Sequence, residues 1–151
     1  MSNKNIGRLS GLFALAIASL FSTLALADEG RAYSMSSVTE VTSVRTKPGM
    51  FNEYVKFLAG PFRQEQEELK KLGVVTDYTF FGATPRGPHD PDLYIVVTYK
   101  NMAALDTLEE KDDTVTKKIF GSMKQAEKGQ VDRESIREIL GSQFIRELKL
   151  K

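Results

Sequence analysis

The stretch Leu93 to Tyr99, LYIVVTY, decides the fold, because nearly every residue in it is apolar or aromatic. This composition and length predict a β-strand. A strand with one solvated face would alternate between polar and apolar residues, so the continuity indicates that both faces of this strand are covered. Helices are expected to cover one face, and the other face needs a second cover.

Three other segments have the composition of strands. Val38 to Thr46 is dense in valine and threonine and stops at the turn-forming Lys47-Pro48-Gly49. Val74 to Phe81 predicts a second strand, and Gln143 to Leu150 partly alternates and predicts a last one.

A long helix is predicted between the first two strands. Apolar residues recur at helical spacing from Met50 to Leu72. Gly60-Pro61 lies inside this segment and predicts a kink, because proline lacks the backbone donor and crowds the preceding turn. Gly73 is expected to end the helix, since glycine adopts the left-handed conformation without steric cost.

A second, subdivided helical region is predicted between the last two strands. Asn101 is expected to cap it, and the acidic segment Lys111 to Asp113 is expected to interrupt it. A final short helix is predicted from Asp132 to Leu140, with Asp132 as its cap and Gly141 as its stop.

The order β-α-β-β-α-β predicts an α+β, ferredoxin-like fold, in which a four-stranded antiparallel sheet carries its helices on one face. The other face of the sheet would be open in a monomer, although Leu93 to Tyr99 offers it apolar side chains. A large exposed apolar face usually marks an interface. We therefore expect a homodimer in which two sheets pack face to face.

Two motifs carry a resemblance to a known superfamily. Val44 to Tyr54, VRTKPGMFNEY, runs from a strand through a Pro-Gly turn into a helix, and Tyr94 to Leu105, YIVVTYKNMAAL, runs from the buried strand into the second helix. With the element order, the chain resembles the dimeric α+β barrel superfamily, which includes the antibiotic-biosynthesis-monooxygenase-like (ABM-like) proteins. The resemblance implies a homodimer with a ligand cavity between each sheet and its helices, but not one activity. Many enzymatic members carry a histidine just after the alanines of the second helix, where this chain has Asp106-Thr107.

The N-terminus has the pattern of a secretory signal peptide. Lys4 and Arg8 precede an apolar run from Gly11 to Leu26, and Ala25-Leu26-Ala27 supplies the small residues of a cleavage site. Sixteen residues are fewer than the roughly 20 needed to span a bilayer, so cleavage is favoured over a stable membrane anchor. We expect residues 1–27 to be a signal, residues 28–37 a flexible lead-in and residues 38–151 the barrel domain of a periplasmic or secreted protein.

Composition excludes several kinds of partner and site. The chain has 151 residues, which suits one domain, and 21 Lys+Arg balance 20 Asp+Glu, so nothing favours nucleic acid as a partner. The absence of cysteine excludes disulfides, thiolate metal sites and a cysteine nucleophile. The sequence shows no phosphate-binding glycine loop, serine elbow or HEXXH motif, so we expect neither an organic cofactor nor a metal.

The candidate catalytic residues are His89, Tyr78 and Tyr94. His89 lies in Arg86 to Asp92, RGPHDPD, beside carboxylates that favour a general-base role or, less favourably, a shared cation. The alternative is a solvent-facing hairpin loop, since Asp, Pro and Gly are common turn formers. The hydroxyl groups of Tyr78 and Tyr94, on the strands flanking this loop, are placed to orient a small ligand, or else both residues pack in the core or interface.

The candidate ligand-binding residues are Phe80, Arg86, Tyr99 and Arg45. Arg45 is a candidate for binding an anionic group, although a cross-strand ion pair with a residue such as Glu147 is the alternative. Two functions remain open. One is an exported protein that binds a small apolar or aromatic compound and acts on it without a cofactor. The other is a non-catalytic periplasmic module for assembly or protein interaction.

Overall fold

The computed structural model describes residues 30–151, so the predicted signal peptide, residues 1–27, lies outside the described part. Its four strands are β1 Tyr33–Thr46, β2 Val75–Gly82, β3 Leu93–Tyr99 and β4 Arg137–Leu150. They form one antiparallel sheet in the order β2-β3-β1-β4. The predicted β-α-β-β-α-β order and antiparallel sheet are confirmed.

The first helical region is kinked, as predicted. It consists of α1 Phe51–Phe57, a π-helical segment Leu58–Phe62 and α2 Arg63–Lys71. Gly60 departs from helical geometry at φ −101° and ψ −107°, directly before Pro61. After α2, Gly73 turns the chain at φ 71°, which favours glycine, so the predicted stop is also confirmed.

The second helical region differs from the prediction in its subdivision. It comprises α3 Ala103–Asp106, α4 Leu108–Phe120 and α5 Met123–Glu134. The Asn101 side chain accepts a hydrogen bond from the Ala104 amide at 3.0 Å, so this cap is confirmed.

The predicted break at Lys111 to Asp113 is wrong, because the chain leaves helical geometry at Thr107 and α4 continues through the acidic residues. This segment contains no glycine or proline, and Asp113 and Lys117 form a pair one turn apart at 3.7 Å, which suits a helix.

The predicted short helix from Asp132 to Leu140 is also wrong. Asp132 lies inside α5, whose cap is Ser122, and residues 137–140 belong to β4. Thr46 pairs with Arg137 and Val44 pairs with Ile139, so the backbone groups of these residues join the sheet instead of a helix.

β1 begins at Tyr33, five residues before the predicted Val38, so half of the expected flexible lead-in, residues 33–37, is strand. Residues 33–35 pair only with residues 148–150 of β4 and extend beyond the four-stranded sheet as a two-stranded ribbon. The ribbon exposes Met35, Leu148 and Leu150 to solvent. No helix in residues 30–151 is long and apolar enough to cross a membrane.

The core lies between the helices and one face of the sheet, here called the helix face. In β3, buried residues alternate with half-buried ones, and Leu93, Ile95, Val97 and Tyr99 point toward the helices. Val44 and Leu58 are at most 2% exposed there. The opposite face, the open face, carries Tyr94, Val96 and Thr98 and has no helix over it.

Candidate functional site

The loop between β2 and β3 holds His89 at an exposed position. Arg45 donates from Nη1 to the Pro88 carbonyl at 2.6 Å, and the same atom lies 3.4 Å from His89 Nδ1. Nη2 of Arg45 donates to Glu138 Oε2 at 2.6 Å. The cross-strand partner of Arg45 is therefore Glu138, and the predicted alternative of Glu147 is wrong because β4 begins at Arg137 and places Glu138 opposite Arg45.

The carboxylates of this loop stabilise its turns. Asp90 Oδ2 accepts hydrogen bonds from the amides of Arg86 and Gly87, both at 2.9 Å. Asp92 accepts from the amide and the hydroxyl group of Thr46. Both side chains thus have backbone donors, as is common in turns. Residues 30–151 contain no group of three or more histidine or acidic side chains arranged to hold a metal.

Tyr78 and Tyr94 lie on opposite faces of the sheet. Tyr78 packs beside the core and donates from its hydroxyl group to Glu67 Oε1 at 2.6 Å. Tyr94 pairs with Ser43 on β1 and points to the open face, since its neighbours in β3 point to the helices. The structure therefore does not bring the predicted catalytic residues together, and their catalytic role stays a prediction.

Of the predicted ligand-binding residues, Tyr99 lines a cavity and the others do not. Phe80 packs on the helix face against Phe62, with ring centres 5.9 Å apart. Arg86 is exposed in the loop, and Arg45 is held by its contacts with Pro88 and Glu138. The structure thus separates these four residues among the core, the loop and the cavity.

The cavity lies between the helix face of the sheet and the helices, and its volume is about 460 Å³. Phe57 and Leu108 contribute apolar surface, and Glu40 and Gln66 contribute polar groups. Phe51 is 39% exposed and does not line the cavity. A cavity of this size, lined by apolar and polar side chains together, is within the range of small-molecule sites.

Several residues of the cavity lining are acidic, and Glu40, Glu65 and Asp112 are here called the acid end. Tyr99 donates to Glu40 Oε2 at 3.1 Å, and Thr116 donates to Glu65 Oε1 at 2.8 Å. Burial raises the pKa of Glu65 and also, with a smaller contribution from the charge of Asp113, the pKa of Asp112. Burial and then the charge of Glu40 raise the pKa of Tyr99, which keeps its hydroxyl group protonated.

The raised pKa of Asp112 predicts the effect of Asp112→Asn on stability. Between the pKa of the unfolded chain, about 3.8, and the raised pKa of the folded chain, ionisation favours unfolding. The variant is therefore expected to be more stable than the wild type at pH 7 and to lose this advantage below about pH 3.8. Urea unfolding at several pH values measures this difference, and a constant difference across the range would contradict it.

Two residues of the cavity lining are basic and are here called the arginine end. They are Arg133, at the end of α5, and Arg137, the first residue of β4. The guanidinium of Arg133 lies 4.0 Å from the ring centre of Phe57, and that of Arg137 lies 6.0 Å from the ring centre of Tyr54. Burial raises the pKa of Tyr54, against the opposing charge of Arg137.

The sequence did not single out the arginine end. Arg133 and Arg137 fall in the segment that helical spacing assigned to one short helix, where charged residues are expected on a solvated face. The change from helix to strand between them is what turns both toward the cavity. The one available signal was a pair of arginines flanking an apolar Ile136.

A second groove, of about 600 Å³, lies on the outer side of α2 and α4 and is more open than the cavity. Glu68 in this groove accepts from Lys71 at 2.7 Å and from Lys118 at 2.6 Å. These lysines lower the pKa of Glu68 to about 2. Because Glu68, Lys71 and Lys118 are paired with each other, this groove offers less to a ligand than the cavity does.

No protein-family model matches the chain, and no curated protein matches it. Several solved structures are similar to it, and two of them are described here. Protein SO0527 from Shewanella oneidensis has 13% identity and a TM-score of 0.50, over 78% of this chain and 98% of that one. A dimeric ferredoxin-like protein from an uncultured marine organism has 8% identity and a TM-score of 0.50, over 78% of this chain and 90% of that one. The topology and these likenesses together show that the chain has the ferredoxin-like fold.

Proposed function

We propose that the chain is an exported, homodimeric α+β barrel protein that binds a small, largely apolar or aromatic compound in the cavity. The observation that carries the ligand-binding role is the cavity itself, about 460 Å³ between the sheet and the helices. A well-filled core leaves few spaces larger than a water molecule, so a space of this size needs an occupant or a function.

The lining of the cavity supports a partly aromatic ligand. One wall is formed by Tyr54, Phe57 and Phe62. The ring centres of Tyr54 and Phe57 are 5.9 Å apart, and those of Phe57 and Phe62 are 6.2 Å apart. Aromatic rings favour stacked or edge-to-face partners, which gives a ring-containing ligand more contact energy than an aliphatic one.

The homodimer is supported by the open face and by the description of one structural neighbour as dimeric. Val41 and Val96 are paired at the centre of this face and are only half-buried. Phe81 on the same face is 55% exposed. A second copy of the chain would remove these side chains from water, at a gain of about 25 cal/mol per Å² of apolar surface.

Export is supported by the basic and apolar pattern of residues 1–27, and it predicts a mature chain that begins at Asp28. An ABM-like catalytic activity without a cofactor, with His89, Tyr78 and Tyr94 in the acid and base roles, stays a prediction. The ligand-binding proposal uses other residues and does not depend on it.

The alternative, a non-catalytic periplasmic module for protein interaction, is favoured by the two-stranded ribbon. Its exposed apolar residues include Met35 at 45%, Leu148 at 52% and Leu150 at 82% exposure. Exposed apolar patches commonly mark contact with another protein. Ligand binding in the cavity distinguishes the two functions.

The substitution Ala126→Phe tests the ligand-binding function. Ala126 lies on α5 and lines the cavity, so a phenyl group there is expected to occupy the ligand space. Native mass spectrometry of protein from its own host, and thermal shifts with a set of small aromatic compounds, are expected to show binding in the wild type and at least a tenfold loss in the variant.

The matched control for this test is Ala103→Phe, which adds the same volume at an exposed position of α3 outside the cavity. This control is expected to bind as the wild type does. Equal binding by Ala126→Phe and the wild type would place the ligand elsewhere. The absence of any bound compound or thermal shift in the wild type would favour the interaction module.

A further inference from the structure

The arginine end places two cations side by side in a partly closed space. Arg137 is only 7% exposed, and Arg133 is half-buried. Burial, and secondly the charge of Arg137, lower the pKa of Arg133. Two like charges removed from water raise the free energy of the folded protein unless an opposite charge lies near them.

No acidic side chain of the described residues forms an ion pair with either arginine, although the charges of Glu65 and Asp132 act on Arg133 from a longer distance. Neither arginine has a carboxylate oxygen within 4.0 Å, although seven other pairs in the same part of the chain meet this limit. The guanidinium groups instead lie over the rings of Phe57 and Tyr54. Cation–π contacts of this kind hold a guanidinium in place without neutralising it.

Two carboxylates of the cavity have other donors. Glu40 accepts from Tyr99, and Glu65 accepts from Thr116. Burial raises the pKa of Glu65 and of Asp112, and neither forms an ion pair with an arginine of the cavity. The donors of the arginine end are therefore available to a ligand.

Two buried atoms that line the cavity also have no hydrogen-bond partner. They are Arg137 Nε, a donor, and Gln66 Oε1, an acceptor. Gln66 is 6% exposed, so water does not reach it freely. A buried polar atom without a partner costs about 1 to 3 kcal/mol, and such atoms are rare in native proteins. A ligand with an anionic acceptor would satisfy the arginine.

We propose that the cavity binds a small aromatic carboxylate, with its carboxylate group at Arg133 and Arg137 and its ring against Phe57 and Tyr54. This inference rests on the proposed ligand-binding function and names the ligand class. A guanidinium suits the task because its planar donors match the two oxygens of a carboxylate. The aromatic wall, which begins at Phe57, is the surface that receives the ring.

Isothermal titration with 2-naphthoate and 2-naphthamide tests the proposal, because the two probes have nearly the same shape and differ in charge. The wild type is expected to bind the carboxylate at least tenfold more tightly than the amide. Arg137→Met and Arg133→Gln are each expected to lose this preference while still binding the amide.

The matched control is Lys128→Ala, which removes one positive charge from α5 at an exposed position outside the cavity. It is expected to keep the preference for the carboxylate. Loss of the preference in this control would show that general attraction of anions explains the binding, and it would overturn the proposal. Circular dichroism checks that each variant folds, and Arg133→Gln decides the result if Arg137→Met does not fold.

The remaining outcomes separate this proposal from the ligand-binding function. Equal affinity of the wild type for both probes, with loss of both in Ala126→Phe, would overturn the carboxylate and leave the ligand-binding function standing. Binding of neither probe by the wild type would overturn the aromatic carboxylate, and the thermal-shift test with other compounds then decides the ligand-binding function separately.

Discussion

Leu58→Ala is expected to lower the free energy of unfolding by about 2 to 5 kcal/mol, the usual cost of a buried leucine replaced by alanine. Leu58 is 2% exposed and packs in the core cluster with Tyr54 and Leu69. It is the first residue of the π-helical segment, two positions before the kink at Gly60, so the local backbone is irregular and has little freedom to close the space.

The matched control for this prediction is Leu72→Ala, which makes the same chemical change at a position 46% exposed. Its expected effect is within about 0.5 kcal/mol. Urea unfolding followed by circular dichroism, at one fixed protein concentration, measures both. A cost for Leu58→Ala no greater than that of the control would show that the first helical region does not anchor the core.

Val96→Arg is expected to convert a dimer into a monomer. Val96 lies in the central strand β3 and pairs with Val41 and Thr79 on the open face. A charged side chain at the centre of a face-to-face interface would be buried without a partner, which costs several kcal/mol for each copy. In the monomer the same side chain would reach water, so the fold itself is expected to remain.

Light scattering at micromolar concentration measures this effect, with the monomer mass of the processed chain taken from mass spectrometry. The wild type is expected at twice that mass and Val96→Arg at the single mass. The matched control is Val131→Arg, at a position on α5 that is 65% exposed, and it is expected to remain dimeric. A monomeric wild type would contradict the predicted homodimer, and a dimeric Val96→Arg would place the interface elsewhere.

Features with local causes were predictable from the sequence. The kink follows from Gly60-Pro61, the end of α2 from Gly73 and the cap of α3 from Asn101, and each lies where the residue type demands it. The order of strands and helices was predictable for the same reason, since hydrophobic periodicity is a local property. These features were enough to establish the fold class.

Features that depend on distant pairing were not predictable. The apolar spacing of residues 137–140 suits a short helix. In the structure these residues instead pair with the end of β1, up to Thr46, and so belong to β4. The faces of Tyr78 and Tyr94 depend on register in a similar way. A bulge between Val75 and Asp77 puts Val75 and Tyr78, three positions apart, on one face, which simple alternation does not allow.

The cavity shows the same limit. In the sequence, Arg133 and Arg137 look like ordinary surface residues. They line one cavity because the chain changes from α5 to β4 between them. By contrast, the loop around His89 was predicted as a site because it combines an imidazole with neighbouring carboxylates. In the structure its carboxylates Asp90 and Asp92 accept hydrogen bonds from backbone amides of the turn and of β1.

The pairing of β1 with β4 also determines how the domain would respond to mechanical force. Tyr33 pairs with Leu150, and the Lys151 amide donates to the Ala32 carbonyl at 3.0 Å, so both ends of the folded unit leave the ribbon at one point. The hydrogen bonds between antiparallel strands lie across the strands. Tension applied between the two ends would therefore unzip these bonds one pair at a time, beginning at the ribbon, rather than load the whole ladder at once.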